Sequence, residues 1–86
     1  MNKIKSLREE VNKIDQEILD LIIKRVKLAK KIGTLKKAAK LPVFDRDREQ
    51  QVITKLIKPA NKANLSPTFI RKLWDLLFEQ SYKQQQ

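Results

Sequence analysis

Residues 4–35 read IKSLREEVNKIDQEILDLIIKRVKLAKKIGTL, and the spacing of their apolar side chains decides the fold. Ile4, Leu7, Val11, Ile14, Ile18 and Leu21 advance by threes and fours, and Leu28, Ile32 and Leu35 resume the same count. This is the heptad seam of one long helix. One slot in the seam, position 25, holds an arginine. Burying a guanidinium costs several kcal/mol unless an anion meets it. Lys36 follows eleven residues later, an offset of only ~20° around the axis and ~16 Å along it. Two long cationic side chains leaning inward from these positions can hold a small polyanion between them. The plainer reading of Arg25 is a side chain that snorkels to water or pairs with an acid on a partner helix.

The helix is predicted to run from about Asn2 to Lys40, with a loosening near Gly33, the single glycine. Its length of about 55 Å exceeds the ~30 Å diameter of a globule of this size, so it must protrude unless something covers it. Around Ile18, Leu19, Leu21, Ile22 and Ile23 it is apolar on nearly every side, and Val26 and Ala29 extend a second stripe. One amphipathic partner cannot cover both stripes. An intertwined homodimer satisfies both requirements, and the expected fold class is all-α: one very long helix and two shorter ones, with residues 1–86 forming a single helical domain.

Leu41-Pro42-Val43-Phe44 reads as an extended connector, because proline disfavours helix for the residue before it. Asp45 or Asp47 can cap a second helix, with Glu49 favourably placed in its first turn. Val52, Ile53, Leu56 and Ile57 form its buried face, and Arg48 and Glu49 continue that stripe inward. Pro59 is expected to end or kink this helix, leaving Asn61-Lys62-Ala63-Asn64 as a loop. Ser66-Pro67 starts a third helix: a capping hydroxyl, then proline at the first helical position. Its apolar stripe is Ile70, Leu73, Trp74 and Leu77, continued by Ser81 and Gln85, for which fraying at a polar end is the plainer reading.

Composition narrows the chemistry. The chain of 86 residues has no cysteine and no histidine, so a disulfide framework, a metal site built on those ligands and nucleophilic triads are excluded. No apolar run approaches the ~20 residues of a membrane span, and Met1-Asn2-Lys3-Ile4-Lys5 opens no signal-peptide core. The expected location is cytoplasmic, with no membrane partner, no metal and no cofactor. The formal charge is +10, and eight of the basic residues lie between Lys24 and Lys40 without one acid among them. Such a field attracts phosphates, nucleic acid or a small carboxylate metabolite, although Lys27, Lys30, Lys31 and Lys37 also suit an ordinary solvated face.

The inward-facing polar set is Arg25, Lys36, Arg48, Glu49, Ser81 and Gln85, drawn from all three helices. Arg8 is different: it precedes Arg25 by seventeen residues, ~25 Å along the axis and about 100° around it. It cannot join the same site from the same chain. In an antiparallel crossing of two first helices, Arg8 of one copy reaches the Arg25 region of the other.

These residues, in order and at these spacings, resemble the all-helical, AroQ-type chorismate mutase family over nearly the whole chain. The resemblance rests on Leu7-Arg8-Glu9 followed by Ile14-Asp15, on Arg25, on Gly33-x-x-Lys36, on Pro42-Val43-x-Asp45-x-x-Arg48-Glu49 and on Ser81-x-x-x-Gln85. It implies an intertwined homodimer with two equivalent sites and the cofactor-free Claisen rearrangement of chorismate to prephenate, a step toward phenylalanine and tyrosine. By matching position, it implies that Arg25 and the other subunit's Arg8 bind the substrate carboxylates. Lys36 would bond a carboxylate and the ether oxygen, and Gln85 would donate to the ether oxygen from the opposite side. Asp45 (through its backbone) and Glu49 would hold the ring hydroxyl region, with Arg48 and Ser81 completing the polar wall.

The residue types suit that chemistry. A [3,3] rearrangement needs neither nucleophile nor general base, and a dicarboxylate matches several inward cations. Preorganised donors aimed at the ether oxygen, where negative charge grows, stabilise the transition state above the ground state. Two other readings compete. An isochorismate-pyruvate lyase of the same fold would use the same cations. A basic helical nucleic-acid-binding protein would use Lys24 to Lys40 along phosphates, but it leaves Glu49, Ser81 and Gln85 unexplained and offers neither a stacking platform nor a clear recognition helix.

Overall fold

The computed structural model describes residues 2–86 and contains three helices: α1 (Asn2–Ala38), α2 (Arg46–Lys62) and α3 (Pro67–Gln85). The all-α class is as read. Helix α3 is the middle element, packed against α1 on one side and α2 on the other. Every residue from Asn2 to Leu21 is exposed, and burial on α1 begins only with its second half, at Ala29 and Gly33. The chain therefore measures 57 × 24 × 15 Å, with a radius of gyration of 16.3 Å, where a compact chain of this length would have about 12 Å. Ile4, Leu7, Val11, Ile14 and Ile18 are each about half exposed, so this part of the seam is left uncovered by the described residues.

Helix α1 runs straight through Gly33 without loosening and ends at Ala38, two residues short of the expected Lys40. Its stop is a Schellman motif. The Leu41 N–H donates to Lys36 O at 2.8 Å and the Lys40 N–H to Lys37 O at 3.2 Å, with Lys40 in the left-handed region at φ 57°. The same motif closes α2: Leu65 N–H to Ala60 O at 2.9 Å, Asn64 N–H to Asn61 O at 3.1 Å, and Asn64 at φ 62°. Asparagine tolerates that conformation and lysine pays the Cβ penalty.

Helix α2 does not end at Pro59: it continues through it to Lys62, which takes Asn61 and Lys62 out of the expected loop. The missing Pro59 N–H removes one hydrogen bond, while half-buried Leu56 and Ile57 and buried Ala60 anchor the flanking turns. Packing outweighs the local preference. Asp45 caps α2, its carboxylate accepting the Arg48 N–H at 3.0 Å. Ser66 caps α3 in the same way through the Phe69 N–H at 3.1 Å, ahead of Pro67 at the first position. On α3 the core residues are Ile70 and Phe78, with Trp74 and Leu77 half-buried. The stripe continues to the end of the helix, where Ser81 and Gln85 are buried at 8% and 6% exposure. Neither frays.

Candidate active site

Helices α1 and α3 come together tightly at Gly33. A Cβ built there would lie 2.6 Å from Gln85 Cα, nearer than any real contact. Glycine thus lets the last turn of α3 sit directly on α1, and polar pairs form from Arg25, about two turns before Gly33, and from Lys36, about one turn after it. On the near side Arg25 donates from Nη1 to the Ser81 hydroxyl and to Leu77 O at 3.3 Å. Its Cζ lies 5.7 Å from the centre of the Phe78 ring. On the far side Lys36 Nζ donates to Gln85 Oε1 at 2.7 Å and to Val43 O at 2.7 Å.

These bonds orient the donors that remain. Lys36 has spent two of three N–H groups on the protein and keeps one. Because the Gln85 carbonyl is taken by Lys36, its amide NH2 is left to donate. Arg25 is met by a hydroxyl and a carbonyl rather than by a carboxylate. Burial, and then the neighbouring Arg48, lower its pKa from the ordinary guanidinium value, with a smaller opposing pull from Tyr82. An arginine so placed stays charged, and the site holds a positive charge that a bound anion would relieve.

Arg25, Lys36, Asp45, Arg48, Glu49, Ser81 and Gln85 all line one cavity of about 440 Å³ between the three helices, within the range of small-molecule sites. Leu28, Ala29, Ile32, Val52 and Phe78 supply its apolar wall. Arg48 is exposed, at the rim rather than inside as its stripe suggested. The Asp45 carboxylate is committed to capping α2. Arg8 is exposed on the protruding half of α1 and does not reach the cavity of its own chain.

Sequence reasoning missed two lining residues, Phe78 and Tyr82. Both were legible as spacing: Ile70, Trp74, Phe78 and Tyr82 repeat every four residues on α3, one column beside Ser81 and Gln85. The Tyr82 hydroxyl donates to Glu49 Oε2 at 2.8 Å and accepts the Asp45 N–H at 3.3 Å. Its ring meets Phe44 edge-on at 4.9 Å between centroids and lies 5.9 Å from Lys36 Nζ.

Comparison with known proteins agrees with this geometry. The profile of the family described as chorismate mutase type II matches residues 7–86. A bifunctional chorismate mutase/prephenate dehydratase of Aquifex aeolicus is 43% identical over 58 residues, 67% of this chain and 16% of that protein. The Escherichia coli K12 protein of the same name is 33% identical over 85 residues, 99% of this chain and 22% of that protein. The chain thus spans about a fifth of the length of these curated relatives. Among solved structures, a conserved hypothetical protein from Pyrococcus furiosus superposes with a TM-score of 0.79 at 32% identity, covering 100% of this chain and 99% of that one.

Proposed function

This chain belongs to the chorismate mutase type II family, and on that premise we propose that it catalyses the rearrangement of chorismate to prephenate in a cytoplasmic setting, without a cofactor. The observation that carries the reading is the convergence of Arg25 and Lys36, two cations met by no carboxylate, with the free amide of Gln85 around one cavity. Such a site is built for a small dianion.

The geometry supplies what the reaction requires. Arg25, joined by Arg8 of a second copy as proposed below, takes the two carboxylates and clamps the enolpyruvyl arm over the ring, fixing a conformer that is sparse in solution. As the C–O bond breaks, the remaining Lys36 N–H and the Gln85 NH2 donate to the ether oxygen, strengthening as its charge grows. Each donor is held in place by the other through the Lys36–Gln85 bond, so neither has to reorganise during the reaction. Ser81 keeps Arg25 aimed inward, Arg48 guards the rim, and Glu49 faces the ring hydroxyl.

The active unit we propose is a homodimer. Ile4, Leu7, Val11, Ile14 and Ile18 present 49–59% of their surface, a continuous apolar stripe that a second copy of α1 covers. An antiparallel crossing carries Arg8 of the second copy toward the open end of the cavity. Following chorismate loss and prephenate formation tests the reading. Wild type should turn over, and Arg25→Ala or Lys36→Ala should lose about 100-fold or more in rate. Wild type that leaves chorismate at its background rate ends the proposal. Mixing inactive Arg8→Ala chains with inactive Arg25→Ala chains should restore part of the activity, because one of the two mixed sites then has neither defect. A site built within one chain gives no rescue.

A further inference from the structure

We infer that Tyr82 is a positioning residue: its hydroxyl pins one oxygen of Glu49 and engages the Asp45 backbone, so that the other Glu49 oxygen is the group offered to the substrate's ring hydroxyl. This rests on the functional reading above. A phenol has one proton to give. Glu49 Oε2 at 2.8 Å and Asp45 O at 3.4 Å compete for it, and the shorter, charged acceptor takes it. The Asp45 N–H then points at the phenol oxygen's lone pairs from 3.3 Å. One side chain from α3 thereby ties down the first turn of α2 and the connector before it, in the same cavity wall as Asp45 and Glu49.

Two consequences distinguish this arrangement from plain packing. A glutamate at the start of a helix is held by a single flexible side chain and would sweep several rotamers; fixing Oε2 leaves Oε1 in one place. The Asp45 N–H is also no longer free to meet a ligand, which transfers recognition of the ring hydroxyl to Glu49 alone. The ring of Tyr82 supports the pose independently, wedged edge-on by Phe44 and facing Lys36. Tyr82→Phe keeps that ring and removes only the hydroxyl.

The ring hydroxyl does not react, so loosening its partner weakens substrate and transition state alike and is read in KM. The full-length chain and its Tyr82→Phe variant are compared on chorismate. The expected result is a KM raised about tenfold with kcat within about threefold, and an unchanged far-ultraviolet helix signal. In a Glu49→Ala background the same substitution should change kcat/KM less than twofold, because Tyr82 then has no carboxylate to place. An active wild type whose Tyr82→Phe variant has an unchanged or lower KM overturns the inference, the lower value showing that the hydroxyl competes with substrate. Equal losses with and without the Glu49 side chain also overturn it, since they mark a structural role. Wild type that leaves chorismate untouched overturns the functional reading, and this inference with it.

Discussion

Replacing Gly33 by alanine sets two magnitudes against each other, and the structure decides between them. In a helix interior alanine is favoured over glycine by about 0.8–1 kcal/mol, so propensity alone makes Gly33→Ala stabilising. The new methyl, however, would sit 2.6 Å from Gln85 Cα, 3.0 Å from its Cβ and 3.1 Å from its Cγ. Carbons rest about 3.5–4.0 Å apart, so the last turn of α3 must withdraw by about 1 Å. The nearest atom is backbone, and no change of rotamer relieves it. Overpacking of this kind costs about 1–3 kcal/mol, but α3 ends within a residue of the contact and can splay, which keeps the cost near the lower bound. The net change in stability is therefore small, within about 1–2 kcal/mol of wild type. Activity has no such escape, because the withdrawal carries Gln85 off Lys36, and a misplacement of about 1 Å costs about 100-fold. The assay is chorismate turnover beside thermal unfolding followed by circular dichroism. Gly33→Ala should be nearly as stable as wild type and about 100-fold slower. Pairing it with Gln85→Ala should give a rate close to that of either single variant, since both remove the same donor. A Gly33→Ala protein with wild-type kcat/KM and a higher Tm would refute the argument, because it would mean that the helices do not hold this contact in solution.

Three further outcomes follow from other parts of the chain. Lys40→Gly relieves a left-handed Cβ in the stop of α1 and should stabilise by about 1 kcal/mol in urea titrations, whereas Asn64→Gly at the matching position of α2 should gain only a few tenths. Burial, more than the bond to Glu49, raises the Tyr82 phenol above its ordinary value. Above about pH 10 the unfolded chain loses this proton first, so the folded chain binds more protons and stability falls as pH rises; the contribution is intact below that range. Tyr82→Phe should make the alkaline loss shallower in paired urea titrations, and an identical slope would contradict the assignment. Gln85 does not titrate, so turnover should lack a steep fall between about pH 5 and 7.5, whereas Gln85→Glu should work only toward acidic pH, where a carboxylic acid still has a proton to donate.

Helix existence and facing were legible because they are set by periodicity. The long helix through Ile4 to Leu35, the Ser66-Pro67 start and the cap offered by Asp45 or Asp47 are local signals, and the structure has the helix, the start and, of the two caps, Asp45. Pro59 misled because its local penalty is one lost hydrogen bond, whereas Leu56, Ile57 and Ala60 are fixed by burial that no local pattern reports. Position 33 was read as a weak point in α1 when it is where α3 packs tightly on α1; a glycine's spacing says where it lies but not what comes near. Tyr82 escaped notice because a tyrosine among polar residues at the end of a helix looks solvated. Its partners, Asp45 and Glu49, are more than thirty positions away in sequence.

Arg25 and Gly33 together explain why the site sits where it does on so long a helix. The first half of α1 is exposed throughout, and the residues of α1 buried among those described lie in its second half. Arg25 stands just inside that boundary, where the seam turns from an uncovered stripe into a wall of the cavity. A charge further toward the N-terminus would lie on the open stripe, away from the cavity between the helices, as Arg8 does. A charge at Gly33 would collide with Gln85. The position that breaks the apolar pattern is thus one at which a guanidinium can be drawn off the seam by Ser81 and Leu77 O and held beside a cavity. Few of the described side chains are buried, and among the apolar ones these are Ala29, Ala60, Ile70 and Phe78, so the covering that the seam lacks is also what the small core lacks. If a second copy supplies it, as proposed above, the same contact that completes the core delivers Arg8. Folding, assembly and the filling of the anion site would then be coupled, each favouring the next.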